Sequence, residues 1–265
     1  MKKKYLIFFG AQGTGVAYMK HTNTKPDYFV DNDKNKWEKD INGVTIKPPN
    51  FLKTISKDIL KIIITSGYVK GISKELKEMG FNNRIIEVPP KSLLGEHPFI
   101  SLENRIEAAH FLNSLMEKNF NVVALGGTAL GFSRDKTFIL WDFDIDLLAS
   151  FKFKNEIIDF LNKSGCPSRM SGNTIKSRYT LKDKSIVPIA IDLFDPDKKI
   201  YIDKYEDHTW EWPTTMFTRP HVLKVHNVNI NLPNPYDVYL KGVYGENWKT
   251  PNKNFNYYDY FKKKN

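Results

Sequence analysis

The chain has 265 residues, 41% of them hydrophobic and 26% charged, a length that suits two domains each burying its own core. No apolar stretch approaches the roughly eighteen residues a membrane span needs, and the single cysteine, Cys166, excludes an internal disulfide and makes a reducing cytoplasm the default compartment. A formal net charge of +10 favours anionic ligands, among them nucleotides, phosphorylated glycans, lipid headgroups and nucleic acid; the lysines are scattered and the Lys262-Lys263-Lys264 tail reads as a solvated end, so no specific nucleic-acid partner is expected.

The opening MKKKYLIFFG carries too short an apolar run for a signal peptide and flows into a glycine turn, so Tyr5 to Phe9 is read as a first strand. Further strands are expected at Tyr28 to Asp31, Ile59 to Thr65 and Arg84 to Val88, with Ile72, Leu76 and Met79 at helical spacing before a capping Gly80. This alternation predicts three or four parallel strands with helices, half of a Rossmann fold. Phe9-Gly10-Ala11-Gln12-Gly13-Thr14-Gly15 follows the first strand and precedes a helix, and Asp31 stands where a ribose-binding acid belongs, making Gly10, Gly13, Gly15 and Asp31 the candidate nucleotide contacts. The glycine spacing is reversed from the dinucleotide fingerprint, and the domain is half the size that holds NAD. Val88-Pro89-Pro90 through Pro98 reads as a linker, so the first domain is drawn over 1–95 and the second over 96–265.

The second domain opens on a long helix capped by Ser101, with Ile106, Ala109, Leu112 and Met116 along its apolar face. A strand from Asn121 to Leu125 runs into Gly126-Gly127 and a short helix to Arg134. A glycine pair at such a junction lets backbone N–H groups approach a phosphate. In the segment Ile139 to Leu148, Asp142, Asp144 and Asp146 recur at every second position, which on a strand puts three carboxylates on one face. Three such charges repel unless cations neutralise them, and the oxygen ligands point to magnesium, with manganese as the substitute. The alternative is a half-buried strand with a solvated acidic face, against which the poor strand propensity of aspartate weighs. Asp192 is the only charge in the apolar run Ile186 to Phe194, and a neighbouring strand can bring it beside Asp144 and Asp146; alone, such an aspartate is as often a strand-end cap. Arg134 and Lys136 lie in the sequence between the glycine turn and the acidic strand, where they can grip phosphate oxygens; for Lys136 a plain surface lysine serves equally well. Asp142 ligates or orients, and packing is the favoured use of Trp141. His208, His221 and His226 lack zinc-ligand spacing, and no nucleophile-elbow signature is present.

The order strand, Gly-Gly, short helix, Asp-x-Asp, later lone aspartate resembles the polymerase-β-like nucleotidyltransferases. More narrowly, Gly126-Gly127-Thr128-Ala129-Leu130-Gly131-Phe132-Ser133-Arg134 with Phe138 through Asp146 resembles the LicD family, which includes the fukutin-related proteins. Asn234 through Leu240, Tyr244-Gly245 and Asn247 through Pro251 are similar to that family's ending, so the resemblance covers roughly residues 100 to 255. Phe143 stands where many relatives carry another aspartate, and Ser133 where a small apolar residue is usual. The fold implied is α/β overall, a half-Rossmann parallel-sheet domain followed by an α+β nucleotidyltransferase-fold domain. The activity implied is transfer of a phospho-alcohol (phosphocholine, ribitol phosphate or glycerol phosphate) from a CDP-linked donor to a glycan hydroxyl in surface polysaccharide synthesis. Asp144, Asp146 and Asp192 would hold the metal, Gly126, Gly127, Thr128, Arg134, Lys136 and Asp142 would contact the donor, and the setting would be cytoplasmic, at the inner face of the membrane. The first domain resembles small Rossmann-like domains fused to glycan-modifying enzymes, which bind a sugar nucleotide or position partners. The alternatives are nucleotidyl transfer with release of pyrophosphate, a binding module without catalysis and, through the front domain, an oxidoreductase.

Overall fold

The computed structural model describes residues 4–89, 93–205 and 208–253; Pro90 of the expected linker and the terminal lysines lie outside the described residues. The chain forms two compact units, one of residues up to Glu96 together with Asn252 and Lys253, the other His97–Pro251.

In the first unit the elements run β1 (Tyr5–Phe9), α1 (Gly13–Thr22), β2 (Tyr28–Val30), β3 (Asp40–Ile41), β4 (Val44–Lys47), β5 (Leu60–Ile64), α2 (Val69–Glu78) and β6 (Ile86–Glu87). They form one six-stranded sheet in the order β3-β4-β2-β1-β5-β6, parallel throughout except for the β3–β4 pair. The continuous apolar character of β1 and β5 is what a sheet covered on both faces demands. Ile7, Phe9, Val30, Ile62 and Ile64 pack with Ile72 and Leu76 of α2 on one face. Phe8, Phe29, Ile46 and Ile63 pack with Tyr18 of α1 on the other. The sheet has more strands than the three or four expected, because the Gly43-Val44 turn opens a short strand, β4, that pairs with β2. Gly80, at φ +85°, ends α2 where its helical spacing predicts, and the Phe81 N–H closes back onto the Leu76 carbonyl at 2.9 Å.

The second unit contains α3 (Leu102–Met116), β7 (Val123–Ala124), α4 (Gly126–Arg134), β8 (Ile145–Ser150), α5 (Lys154–Lys163), β9 (Arg169–Ser171), β10 (Thr174–Thr180), β11 (Ile186–Phe194), β12 (Ile200–Tyr205), β13 (His208–Pro213), α6 (Thr215–Thr218), β14 (His221–Val225), β15 (Val228–Leu232) and α7 (Tyr236–Tyr244). Its main sheet has the order β7-β8-β11-β10-β9, with β8 and β11 parallel and the other pairs antiparallel, and β12–β13 and β14–β15 are separate hairpins. Ser101 caps α3 by accepting the Asn104 N–H. The buried face of that helix is Asn104, Ala108, Phe111, Leu112, Leu115 and Met116; of the expected stripe Leu112 and Met116 are buried, while Ala109 is half-buried and Ile106 is 50% exposed. The rotation follows from Asn104, whose buried amide donates to the Pro98 carbonyl and to Asp183, and from Phe111, which stacks on Tyr179 at 4.3 Å. Among the described residues no helix is long and apolar enough to cross a membrane.

Candidate functional site

The acidic strand begins later than its alternation suggests. Leu140 and Trp141 form a turn in which the Asp142 N–H returns to the Ile139 carbonyl at 3.0 Å, and pairing starts only at Ile145. The cause lies upstream: Phe138 is buried between Phe99 and Phe132, at ring-centre distances of 4.3 and 4.9 Å, which holds the chain away from the sheet. Asp142 and Asp144 therefore lie on the approach to β8, and only Asp146 is within it.

On β8, Ile145, Leu147 and Ala149 face the core, so Asp146 points to the opposite face. The parallel register pairs Asp146 with Ala190 and Leu148 with Asp192, so Asp192 stands on the Asp146 face one diagonal step along the next strand. Diagonal neighbours of this kind are roughly 7–8 Å apart at the backbone, within reach of a shared ligand. Asp192 accepts a short hydrogen bond from the Thr174 hydroxyl on β10.

The start of α4 closes this corner. Its N-cap is Leu125, with no side-chain cap, and Gly126 sits at φ +49°. A Cβ on Gly126 would stand 2.9 Å from Asp146 Oδ2, and one on Gly127 would stand 2.1 Å from Asp142 Oδ2. The two glycines thus let carboxylates approach the positive end of the helix, where a negative charge is stabilised. The Gly126 N–H donates to the Tyr239 hydroxyl at 3.1 Å. Thr128 is fully buried and its hydroxyl accepts the Asp146 N–H at 3.0 Å, so its side chain fastens the acidic strand to the helix.

Asp144 Oδ1 is buried and has no hydrogen-bond partner among the described residues. A carboxylate oxygen in that state is costly unless a donor or a cation reaches it. Among the described residues no three His, Cys, Asp or Glu side chains close on one point in metal-holding geometry, so the carboxylates do not form a preassembled shell. The donor set itself, hard oxygens with one orphaned and buried, fits magnesium better than a softer ion.

Arg134 and Lys136 are not brought to this corner. They sit at the other end of α4, roughly 12 Å along its axis from Gly126. The Arg134 guanidinium forks onto Asp135 at 2.8 and 2.7 Å with its side chain 8% exposed, and the Lys136 ammonium donates to the Ser133 carbonyl. Their closeness in sequence to the glycine turn misleads because an entire helix intervenes.

Asp203 is a carboxylate that sequence reasoning missed. Strand β12 sets it near Asp192, and burial first, then the Asp192 charge, push its pKa up from 3.8 to about 6. The neighbouring Tyr201 is raised by burial and by both aspartates. In Ile200-Tyr201-Ile202-Asp203 the alternation suggests isoleucines inward, yet Ile200 and Ile202 are 43% and 51% exposed and the tyrosine and aspartate face in. The same inner face carries Trp210 and Trp212, paired with Asp203 and Tyr201 across the hairpin. It is tied to α7 by a Trp210 indole N–H to the Gly242 carbonyl and by Trp212 against Tyr239 at 5.2 Å. That tryptophan pair in an otherwise polar strand is the signal that would have given the inward face.

In the first unit, Gly10 at φ +119° and Gly15 pack tightly. A Cβ on Gly10 would meet the Thr65 carbonyl at 2.6 Å, and one on Gly15 the Gly10 carbonyl at 2.6 Å and the Phe29 ring at 2.7 Å, while Gly13 opens α1 with nothing near it. Asp31 is engaged internally: its carboxylate accepts the Ala11 and Asp33 N–H groups at 2.8 and 2.9 Å and pairs with the Lys36 ammonium at 3.0 Å. Cys166 is buried, and burial raises its thiol to about 11, which keeps it inert.

No family model matches the chain, and no curated protein matches it. Nineteen chains of known structure match, among them UDP-D-quinovosamine 4-dehydrogenase from Vibrio fischeri, 24% identical, covering 33% of this chain and 76% of that one with a TM-score of 0.26.

Proposed function

We propose that the chain is a magnesium-dependent phosphotransferase of the LicD type, with a nucleotidyltransferase-fold second unit, that moves a phospho-alcohol from a CDP-linked donor to a glycan hydroxyl. One observation carries the reading: Asp146, which meets the glycine-bounded start of α4, shares a sheet face with Asp192, and Asp144, two residues before Asp146, keeps a buried, unpartnered oxygen. Asp144, Asp146 and Asp192 would hold the ion, which when bound neutralises charge on the diphosphate and polarises it toward attack. The Gly127 and Thr128 N–H groups in the first turn of α4, which have no partner within the helix, orient the donor phosphates, while the Gly126 N–H is held by Tyr239. Asp203, on the inner face of its hairpin and within the field of Asp192, is the carboxylate we assign to accept the proton of the acceptor hydroxyl.

The test is release of CMP from CDP-choline, CDP-ribitol and CDP-glycerol with magnesium and a crude glycan acceptor. Wild type is expected to release CMP from one donor, and Asp144→Ala or a chelator to lower the rate about a thousandfold, the several kcal/mol that a metal supplies. Pyrophosphate from CTP without CMP from any CDP-alcohol would replace this reading with nucleotidyl transfer.

A further inference from the structure

The face that carries Asp146 and Asp192 continues toward the far edge of the sheet. Read across the strands in register, one row is Asp146, Ala190, Lys176, Arg169, and the row beside it is Asp192, Thr174, Ser171. Arg178, paired with Pro188, stands one step beyond Lys176 on the same face. Arg169, Lys176 and Arg178 are exposed, and no side-chain hydrogen bond or ion pair engages any of the three among the described residues. With strands about 4.8 Å apart, Lys176 lies roughly 10 Å and Arg169 roughly 14 Å from Asp146 at the backbone. Ala190 and Pro188 between them leave a low floor, and Thr174 and Ser171 line one side with hydroxyls.

Lysine and arginine at a sheet edge also serve to block edge-to-edge pairing. That purpose accounts for Arg169 on the edge strand β9 but not for Lys176 and Arg178, which are on the interior strand β10. Nor does it account for three cations that, among the described residues, have no acidic partner on the face that leads from the carboxylate corner.

We propose that Arg169, Lys176 and Arg178 form a subsite for the acceptor, and that the acceptor is an anionic glycan bearing phosphate or carboxylate groups. The assignment of the row to an acceptor rests on the phosphotransferase reading. The donor diphosphate belongs at the start of α4, so what reaches two strands further along the same face is the molecule that supplies the attacking hydroxyl. Guanidinium and ammonium groups spaced along a polar floor fit anions repeated along a chain, and the hydroxyls of Ser171 and Thr174 fit its neutral oxygens.

The experiment measures binding of a fluorescein-labelled glycerol-phosphate oligomer and of labelled oligogalacturonate to the full chain, with maltohexaose as the neutral control. The variants are the triple R169Q/K176Q/R178Q and a control, K53Q/K74Q/K77Q, that removes the same charge from exposed lysines of the first unit. Wild type is expected to bind at least one anionic probe and not maltohexaose. The row variant is expected to weaken that binding at least about tenfold, the worth of one charge-assisted contact, and the control less than about twofold. Equal weakening by both triples would reduce the effect to net charge and overturn the subsite. So would binding of maltohexaose equal to that of the anionic probes, or row-dependent binding to phosphatidylglycerol vesicles without binding to either oligomer. Probe binding is measured without donor or turnover, so failure of the phosphotransferase reading in the CMP assay leaves this measurement independent. Unchanged thermal melting of the row variant excludes unfolding as the cause.

Discussion

The two glycine turns of this chain follow one grammar and end differently. In each unit a short strand runs into glycines, a helix begins, and an aspartate from another segment approaches. In the first unit Asp31 is saturated by two backbone N–H groups and a lysine, and Gly10 and Gly15 are small because backbone and the Phe29 ring press against them. In the second, what presses against Gly126 and Gly127 is carboxylate, from Asp146 and Asp142, and Asp144, which lies between those two in the chain, keeps a buried oxygen without a partner. A glycine turn becomes a candidate site when the polar groups around it retain hydrogen-bonding capacity; in the first unit the fold has consumed it.

Substituting the glycines tests this contrast most forcefully. Gly15→Ala drives a Cβ into the Gly10 carbonyl and the Phe29 ring, neither of which can step aside cheaply, and is expected to cost about 2–4 kcal/mol, read by chemical denaturation. Gly127→Ala meets only the end of the Asp142 side chain, which can rotate away. It is expected to change stability by less than about 1 kcal/mol yet to slow CMP release by about tenfold or more, since a displaced carboxylate misplaces the donor. Equal destabilisation by both substitutions would erase the distinction between a packed turn and a functional one.

Much of this frame was legible in the sequence, and the parts that were not share a physical cause. Tyr5–Phe9 and Ile186–Phe194 are unbroken or nearly unbroken apolar runs, so their strands needed no tertiary information. Asp192 stands out because it is the one charge in such a run, and the parallel register of β8 and β11 then sets it on the Asp146 face. Whether Asp31 is free to meet a ribose is invisible to spacing, because the donors that saturate it include Lys36, five residues away on a 3₁₀ turn. Arg134 was read as near the glycine turn because they are close in sequence, while the helix between them separates the two ends. Asp203 escaped notice because its strand turns two isoleucines outward, against the usual rule that the apolar side of an alternation is the buried one.

Asp203 also supplies the smallest and most specific test of the second unit. Its folded-state pKa is raised to about 6 from 3.8, so the folded chain prefers the protonated acid. Ionisation therefore costs stability: the penalty is absent below the unfolded value, grows as pH rises from about 4 to about 6, and is fully present above. The shift corresponds to a ceiling near 3 kcal/mol, and partial solvent access lowers the expectation to about 1–2 kcal/mol. Asp203→Asn is close in shape and cannot ionise, so in chelator at pH 7.5 it is expected to be more stable than wild type by that amount, and at pH 4 to match it. Unfolding curves at the two pH values read the difference directly. A gap that stays constant with pH would mean that Asp203 is ionised without strain beside Asp192, and the carboxylate pair would then differ little from the internally neutralised Asp31 of the first unit.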